Sequence, residues 1–242
     1  MTTIPPMRDL ASLMDRDEDA WPDVLAMVKE SKSPVEILSC DPDHGRETLL
    51  ALQVTTRSPL GAIALRTSAI FIAGGWVRLL GAGGDRVGGG LREWNQSLGG
   101  DLLDPPLNRA LVVAYDALGG FFALNGGHWD REVGEVFYLA PDTFEWAGLN
   151  VGYSGLLGML LSTALNDFYA SLRWPGWESE VARLGPDEAI SVAPFLVFRG
   201  GGTIGERSRR AVPARELWAI HHEVRRQLAD LPVGAEVRLR ID

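Results

Sequence analysis

Cysteine is almost absent. Cys40 is the single one, so the chain cannot form an internal disulfide. It follows Leu38-Ser39 and precedes Asp41, at the end of a strand or in a loop, and reads as an inert thiol. Long apolar runs are also missing. None approaches the roughly 18 residues that a membrane helix needs, so no membrane span is expected. The amino terminus, MTTIPPMRDLASLMD, has no continuous apolar core after a basic start. It does not read as a signal peptide, and a cytoplasmic location is expected. Basic residues are outnumbered: 23 Lys and Arg stand against 32 Asp and Glu, for a net charge of −9. That excludes the basic footprint of a nonspecific nucleic-acid binder. It keeps the chain soluble, and it can steer a basic partner toward the surface.

Catalytic signatures are missing too. There is no HExxH and no paired Cys/His spacing, so no metal is expected. His221 and His222 are adjacent on a helix and point about 100° apart, a poor arrangement for sharing an ion. His128 lies in a loop and is expected to be solvated. The segment GAGGDRVGGG (81–90) follows a strand, as a phosphate-binding loop does. It lacks the last glycine of the dinucleotide fingerprint and the Gly-Lys-Ser/Thr of a nucleotide loop, so it reads as a flexible loop. Gly152-Tyr153-Ser154 has Leu156 where a nucleophile elbow needs glycine, so Ser154 is expected to cap a helix instead. Asp142, Glu145, Glu178 and Glu180 lie near aromatics and read as a solvated face. No cofactor is implied.

Glycine and tryptophan are plentiful, with 28 and 8 residues in 242. Glycine pairs punctuate the chain and predict tight turns between short strands. Helical spacing at Leu10, Leu13 and Met14, and again at Trp21, Val24, Leu25 and Val28, predicts two helices. A third starts at Asp41-Pro42. Val35–Leu38 is a short apolar segment. From Gly61 the period changes. Strands are expected at 62–65, 70–73, 76–80, 111–115, 121–125 and 135–139, with a short one over Phe144–Trp146. Ser154–Leu165 reads as a buried helix, and 173–181 as a break and a short helix. Ile190–Phe198 is strand-like. Pro213–Leu228 reads as a final helix with Leu217, Ile220, Val224 and Leu228 on one face. Short turns between strands argue for antiparallel pairing. The expected fold is α+β: one domain over 1–242, with a central antiparallel sheet and helices packed against it. Its parts are a helical region (1–60), antiparallel strands (61–150), a second helical region (151–229), and an edge strand or tail (230–242).

Several stretches resemble an uncharacterised bacterial family, the domain of unknown function numbered 2625. They are LLALQVTTRSPLGAIA (49–64), GGWVRLLG (74–81), GGFFALNGG (119–127), GEVFYLAPDTFEWAGLNVGYS (134–154), RWPGWESEV (173–181), APFLVF (193–198) and RRAVPARELWAIHHEV (209–224). The order is collinear over most of 20–228. That resemblance implies no established activity. A more distant resemblance is to the SUKH superfamily, which includes bacterial immunity proteins against toxins. It rests on the local order LNGG, EVFYLA, PDT, FEW and YSGLLGMLL. It implies a SUKH-like α+β core without catalysis. This chain departs from it in the loops at 81–107 and in a carboxy-terminal strand–helix module.

The leading functional expectation is a noncatalytic binding protein of the immunity type, which binds a toxin domain. Its partner would be a basic protein such as a toxin nuclease domain. Exposed carboxylates such as Glu132 and Glu135 would then govern association. The alternative is a small-molecule-processing enzyme with a site in the aromatic and glycine-rich loops. A structural or regulatory homo-oligomer is a third reading. Trp76, Arg78, Asn95, Asn125, Trp146, Tyr153, Trp174 and Trp177 lie at strand ends and in the loops that follow. They are the candidates for a common concave binding surface.

Overall fold

A computed structural model describes residues 7–14, 17–84, 86–198 and 201–229. The expected strand or tail within 230–242 lies outside them. Helix α1 (Leu10–Leu13) and helix α2 (Trp21–Glu30) come first, then strand β1 (Val35–Ser39), helix α3 (Pro42–Leu52) and helix α4 (Pro59–Arg66). Strands β2 (Thr67–Ile72), β3 (Val77–Leu80), β4 (Ala110–Asp116), β5 (Phe121–Asn125), β6 (Val136–Leu139) and β7 (Trp146–Gly148) follow. Three short helices come next: α5 (Tyr153–Leu160), α6 (Ala164–Phe168) and α7 (Trp177–Val181). A hairpin of β8 (Glu188–Ala193) and β9 (Ser208–Pro213) precedes helix α8 (Ala214–Ala229).

Strands β1 to β7 form one antiparallel sheet in sequence order, and β8–β9 form a second, two-stranded sheet. The α+β class with a central antiparallel sheet is therefore correct. The register divides the side chains of the large sheet between two faces, because cross-strand partners point the same way. On one face lie Phe71, Arg78, Tyr115, Phe121, Leu139 and Trp146, linked pair by pair across β2 to β7. Trp94 stacks on Tyr115, and Trp218 of α8 meets Phe121 edge-on, so the loop before β4 and the last helix cover this face. On the other face lie Ile37, Ile70, Leu79, Ala114, Phe122 and Tyr138. Phe168 of α6 packs on both Phe122 and Tyr138 there. One continuous apolar core runs through both layers.

Several local expectations are corrected. Ala62–Leu65 is not a strand but the middle of α4. Ser58 accepts a hydrogen bond from the Gly61 amide and Pro59 occupies the first turn, a helix start that outweighs the apolar run. Thr67 and Ser68, expected to separate strands, begin β2. Val35–Leu38 becomes the edge strand β1. Trp146 starts β7 rather than ending a strand, because Phe144 takes φ +56° in the preceding turn. Ser154 caps nothing. The N-cap of α5 is Gly152, and the expected 154–165 helix breaks after Leu160 and resumes at Ala164. The strand over Ile190–Phe198 ends at Ala193, before Pro194. In α8 the buried face is Ala214, Leu217, Trp218 and His221. Val224 and Leu228 lie beyond it and are only half-buried.

The β4–β5 hairpin turns around a buried charge. The Asp116 carboxylate accepts hydrogen bonds from the amides of Leu118 and Gly120, both at 2.9 Å. It also accepts from the Tyr138 hydroxyl at 2.6 Å and the Tyr169 hydroxyl at 3.1 Å. Burial pushes its pKa up, against the pull of these four donors. Gly119 completes the turn at φ +76°, where a Cβ would lie 2.8 Å from Leu217 Cδ1. The turn thus needs glycine both for its backbone and for the close approach of α8.

Candidate functional site

The eight residues singled out from sequence do not gather in one cavity. Six of them are buried: Trp76, Arg78, Asn95, Asn125, Tyr153 and Trp174. Their polar atoms mostly serve the fold. Asn95 donates to the Leu91 and Val112 carbonyls and accepts from the Val112 amide, which pins the 91–95 turn against β4. Trp76, Trp174 and Trp177 do come together, with Trp76 edge-on to Trp177 at 4.8 Å and tilted to Trp174 at 5.9 Å. Arg173 fills this nest from within the chain, its Cζ 4.4 Å from the Trp177 ring centre and 4.9 Å from that of Trp76. Trp174 donates to Glu180, which also pairs with Arg209 at 2.9 Å. Glu180 is therefore tied into the β8–β9 hairpin rather than solvated. Trp146 is half-buried between Trp129 and Trp218. Tyr153 is buried at the start of α5, and burial pushes its pKa up. Arg78 reaches the β8 hairpin.

The two ends of the 81–90 segment are held close together. The Leu91 amide bonds the Gly81 carbonyl, and the Gly90 amide bonds the Glu93 carboxylate at 2.7 Å. A Cβ on Gly90 would lie 2.3 Å from the Ala82 carbonyl carbon, so glycine here permits close backbone contact.

A built surface lies in the loop between β5 and β6. Asn125 organises it. Its side-chain nitrogen donates to the carbonyls of Trp129, Arg131 and Glu132 at 3.0–3.1 Å. Its oxygen accepts from the amides of Gly127 and Trp129. One buried side chain thus ties both ends of the loop to the end of β5. Trp129 stacks on Phe137 with ring centres 4.0 Å apart and planes 9° apart, which anchors the loop to the sheet.

The tip carries Asp130, Arg131, Glu132 and Val133, all exposed, and Val133 is 71% exposed. Behind the tip lies a cavity of about 420 Å³ lined by 131–135 and 150–152. Glu135 closes it. This residue is buried, not exposed as expected, because its carboxylate accepts from the Asn150 amide at 3.1 Å and from Arg131 at 3.3 Å. Arg131 also donates to Asn150 at 2.7 Å. The result is a stiff loop with an apolar tip between carboxylates. Sequence reasoning singled out Asn125 and Glu132 but missed Arg131 and Val133. The signal was Asn125 at a strand end before Gly126-Gly127, the composition of a folded loop. No group of three or more metal-ligating side chains converges among the described residues.

Comparison with known proteins adds kinship without chemistry. A family model described as protein of unknown function DUF2625 matches residues 10–217. The putative uncharacterised protein YbfG of Escherichia coli K12 is 34% identical over 221 residues, which is 90% of this chain and 98% of that protein. An uncharacterised protein of Haemophilus influenzae is 30% identical over 207 residues, covering 85% and 90% of the two chains. No solved structure matches.

Proposed function

The chain belongs to the DUF2625 family of proteins of unknown function, and from that premise we propose that it is a noncatalytic binding protein of the immunity type. Its recognition element is the 126–134 loop, and its partner is a basic protein such as a toxin nuclease domain. The observation that supports this is the network at Asn125. Five hydrogen bonds made by one buried side chain hold a loop whose exposed tip carries Val133 beside the Asp130 and Glu132 carboxylates. A loop already fixed in its bound form loses little conformational freedom on association. An exposed apolar tip gives a contact that excludes water, and the exposed Asp130 and Glu132 carboxylates beside it complement a cationic surface. The net charge of −9 acts in the same direction at longer range. The distant SUKH resemblance is consistent with this role.

The test is a pull-down from the native host, followed by kinetics with the purified basic partner. Val133→Asp is expected to weaken binding by roughly 10-fold or more, as loss of a central apolar contact does. Glu132→Lys is expected mainly to slow association. Unchanged circular dichroism would show that the fold is intact in both variants. Wild-type affinity in both variants would rule out this loop as the recognition element. Turnover of a metabolite, with no partner recovered, would favour the enzyme reading. The feature on that side is a cavity of about 580 Å³ beside Arg173, Trp174 and Arg207.

A further inference from the structure

Arg78 of β3 is a buried cation whose hydrogen bonds among the described residues go to backbone carbonyls and not to a carboxylate. The residue is 2% exposed. Its guanidinium donates to the Glu188 carbonyl, and to the Gly185 carbonyl at 3.1 Å. Its Nε has no hydrogen-bond partner among the described residues. Carbonyl oxygens orient a guanidinium without cancelling its charge. The nearby carboxylates of Asp187 and Glu188 act on it only through space. That of Glu188 is engaged by the Gly185 amide at 2.7 Å. The rings of Phe71 and Tyr115 lie 5.4 and 5.7 Å from the Arg78 Cζ. Such contacts offset only a small part of what burying a lone cation costs. Buried charges in proteins are ordinarily paired.

The same side chain contributes to the wall of a cavity of about 410 Å³ between the β1–β2 edge and the end of α7. Val35, Phe71, Val181 and Leu184 make that wall largely apolar. Glu36 at the rim is paired with Arg86 at 3.4 Å, so its charge is offset. Gly74 and Gly75 add no side chains to the lining. A cavity of this size, with an apolar wall, one buried cation and a rim carboxylate already paired with Arg86, has the character of a small-ligand site.

We propose that this cavity binds a small organic carboxylate with an apolar body, the carboxylate directed at Arg78 and the body resting on Phe71, Val181 and Leu184. The buried guanidinium, to which no carboxylate among the described residues is hydrogen-bonded, is the recognition element. This site shares no residue with the 126–134 loop, so either assignment can fail alone.

The experiment is thermal melting of the full chain with phenylacetate, hexanoate and the neutral phenylacetamide. At tenfold excess over its dissociation constant, a bound carboxylate raises the melting temperature by about 3–6 °C. Phenylacetamide, which carries no charge, leaves it unchanged. Ala182→Trp fills the cavity from its exposed rim without altering Arg78, and abolishes the carboxylate shift. Arg78→Gln abolishes it as well. The proposal is overturned by equal shifts from acid and amide, by a shift that survives Ala182→Trp, or by no shift from either carboxylate.

Discussion

His221 sits on α8 at 3% exposure, with the Phe144 ring 4.4 Å away and the Phe195 ring 6.4 Å away. Burial, assisted by neighbouring His222, holds its pKa at about 3, against a usual 6.5. The folded state keeps this ring neutral down to about pH 3, while the unfolded chain takes up the proton near pH 6.5. Below pH 6.5 the unfolded state therefore binds more protons, and stability falls as pH falls. Between pH 6.5 and about pH 4.5 the loss attributable to His221 is about 2–3 kcal/mol. Urea titrations at both pH values should show this slope in the wild type and most of it gone in His221→Phe, with a residue from His222. An unchanged slope would show that His221 is charged in the fold. Asn125 offers a second prediction at this scale. Asn125→Ala leaves several loop carbonyls and amides without partners and should cost about 2–4 kcal/mol. Urea denaturation reads the loss, and proteolysis should then cut within 126–134 before the sheet opens.

Phe122 and Phe137 show how strand alternation distributes work within an element pair. Phe122 pairs with Tyr138 and packs on Phe168, while Phe137 stacks on Trp129 on the opposite face. Phe122→Ala should destabilise by about 3–5 kcal/mol, as expected for a fully buried ring. Phe137→Ala should cost less in global stability and more in the order of the 126–134 loop, because its partner ring is half-exposed. Denaturant midpoints and hydrogen exchange separate the two. Strands β2 to β6 were legible from sequence because short apolar and aromatic runs separated by turn residues read as buried strands. Helix α4 was not. Leu60, Ile63 and Ala64 follow helical spacing, but the run around them is apolar throughout and hides any period. The start signal was Ser58-Pro59, which outranks the run. The aromatic candidates were misplaced for a different reason. A tryptophan at a strand end can face solvent or core, and only the layer packed above decides. Trp76 lies under Arg173, Trp174 and Trp177, all brought in from distant sequence.

At the scale of the whole molecule, charge and layering act together. If the −9 net charge steers a basic partner, the association rate should fall steeply with salt. The screening length shortens from about 10 Å at 0.1 M to about 3 Å at 1 M. Stopped-flow mixing across that range checks it, and a salt-independent rate would remove electrostatic steering while leaving the loop contact in place. The layering has its own consequence. The large sheet is complete at Gly148, but the hairpin and helix that cover its Tyr115–Phe121 face extend to Ala229. Their ties back to the turn and loop that flank β4 are distant in sequence: the Ile190 amide to the Ala117 carbonyl, and Trp218 to the Pro105 carbonyl. At about 5–20 residues per second, a ribosome needs roughly 4–16 s to make that stretch. Until α8 is made, the nascent chain carries aromatic sheet residues such as Phe121 without the layer that covers them, a natural client for a holding chaperone. Premature termination after α7 should yield inclusion bodies rather than a smaller stable protein.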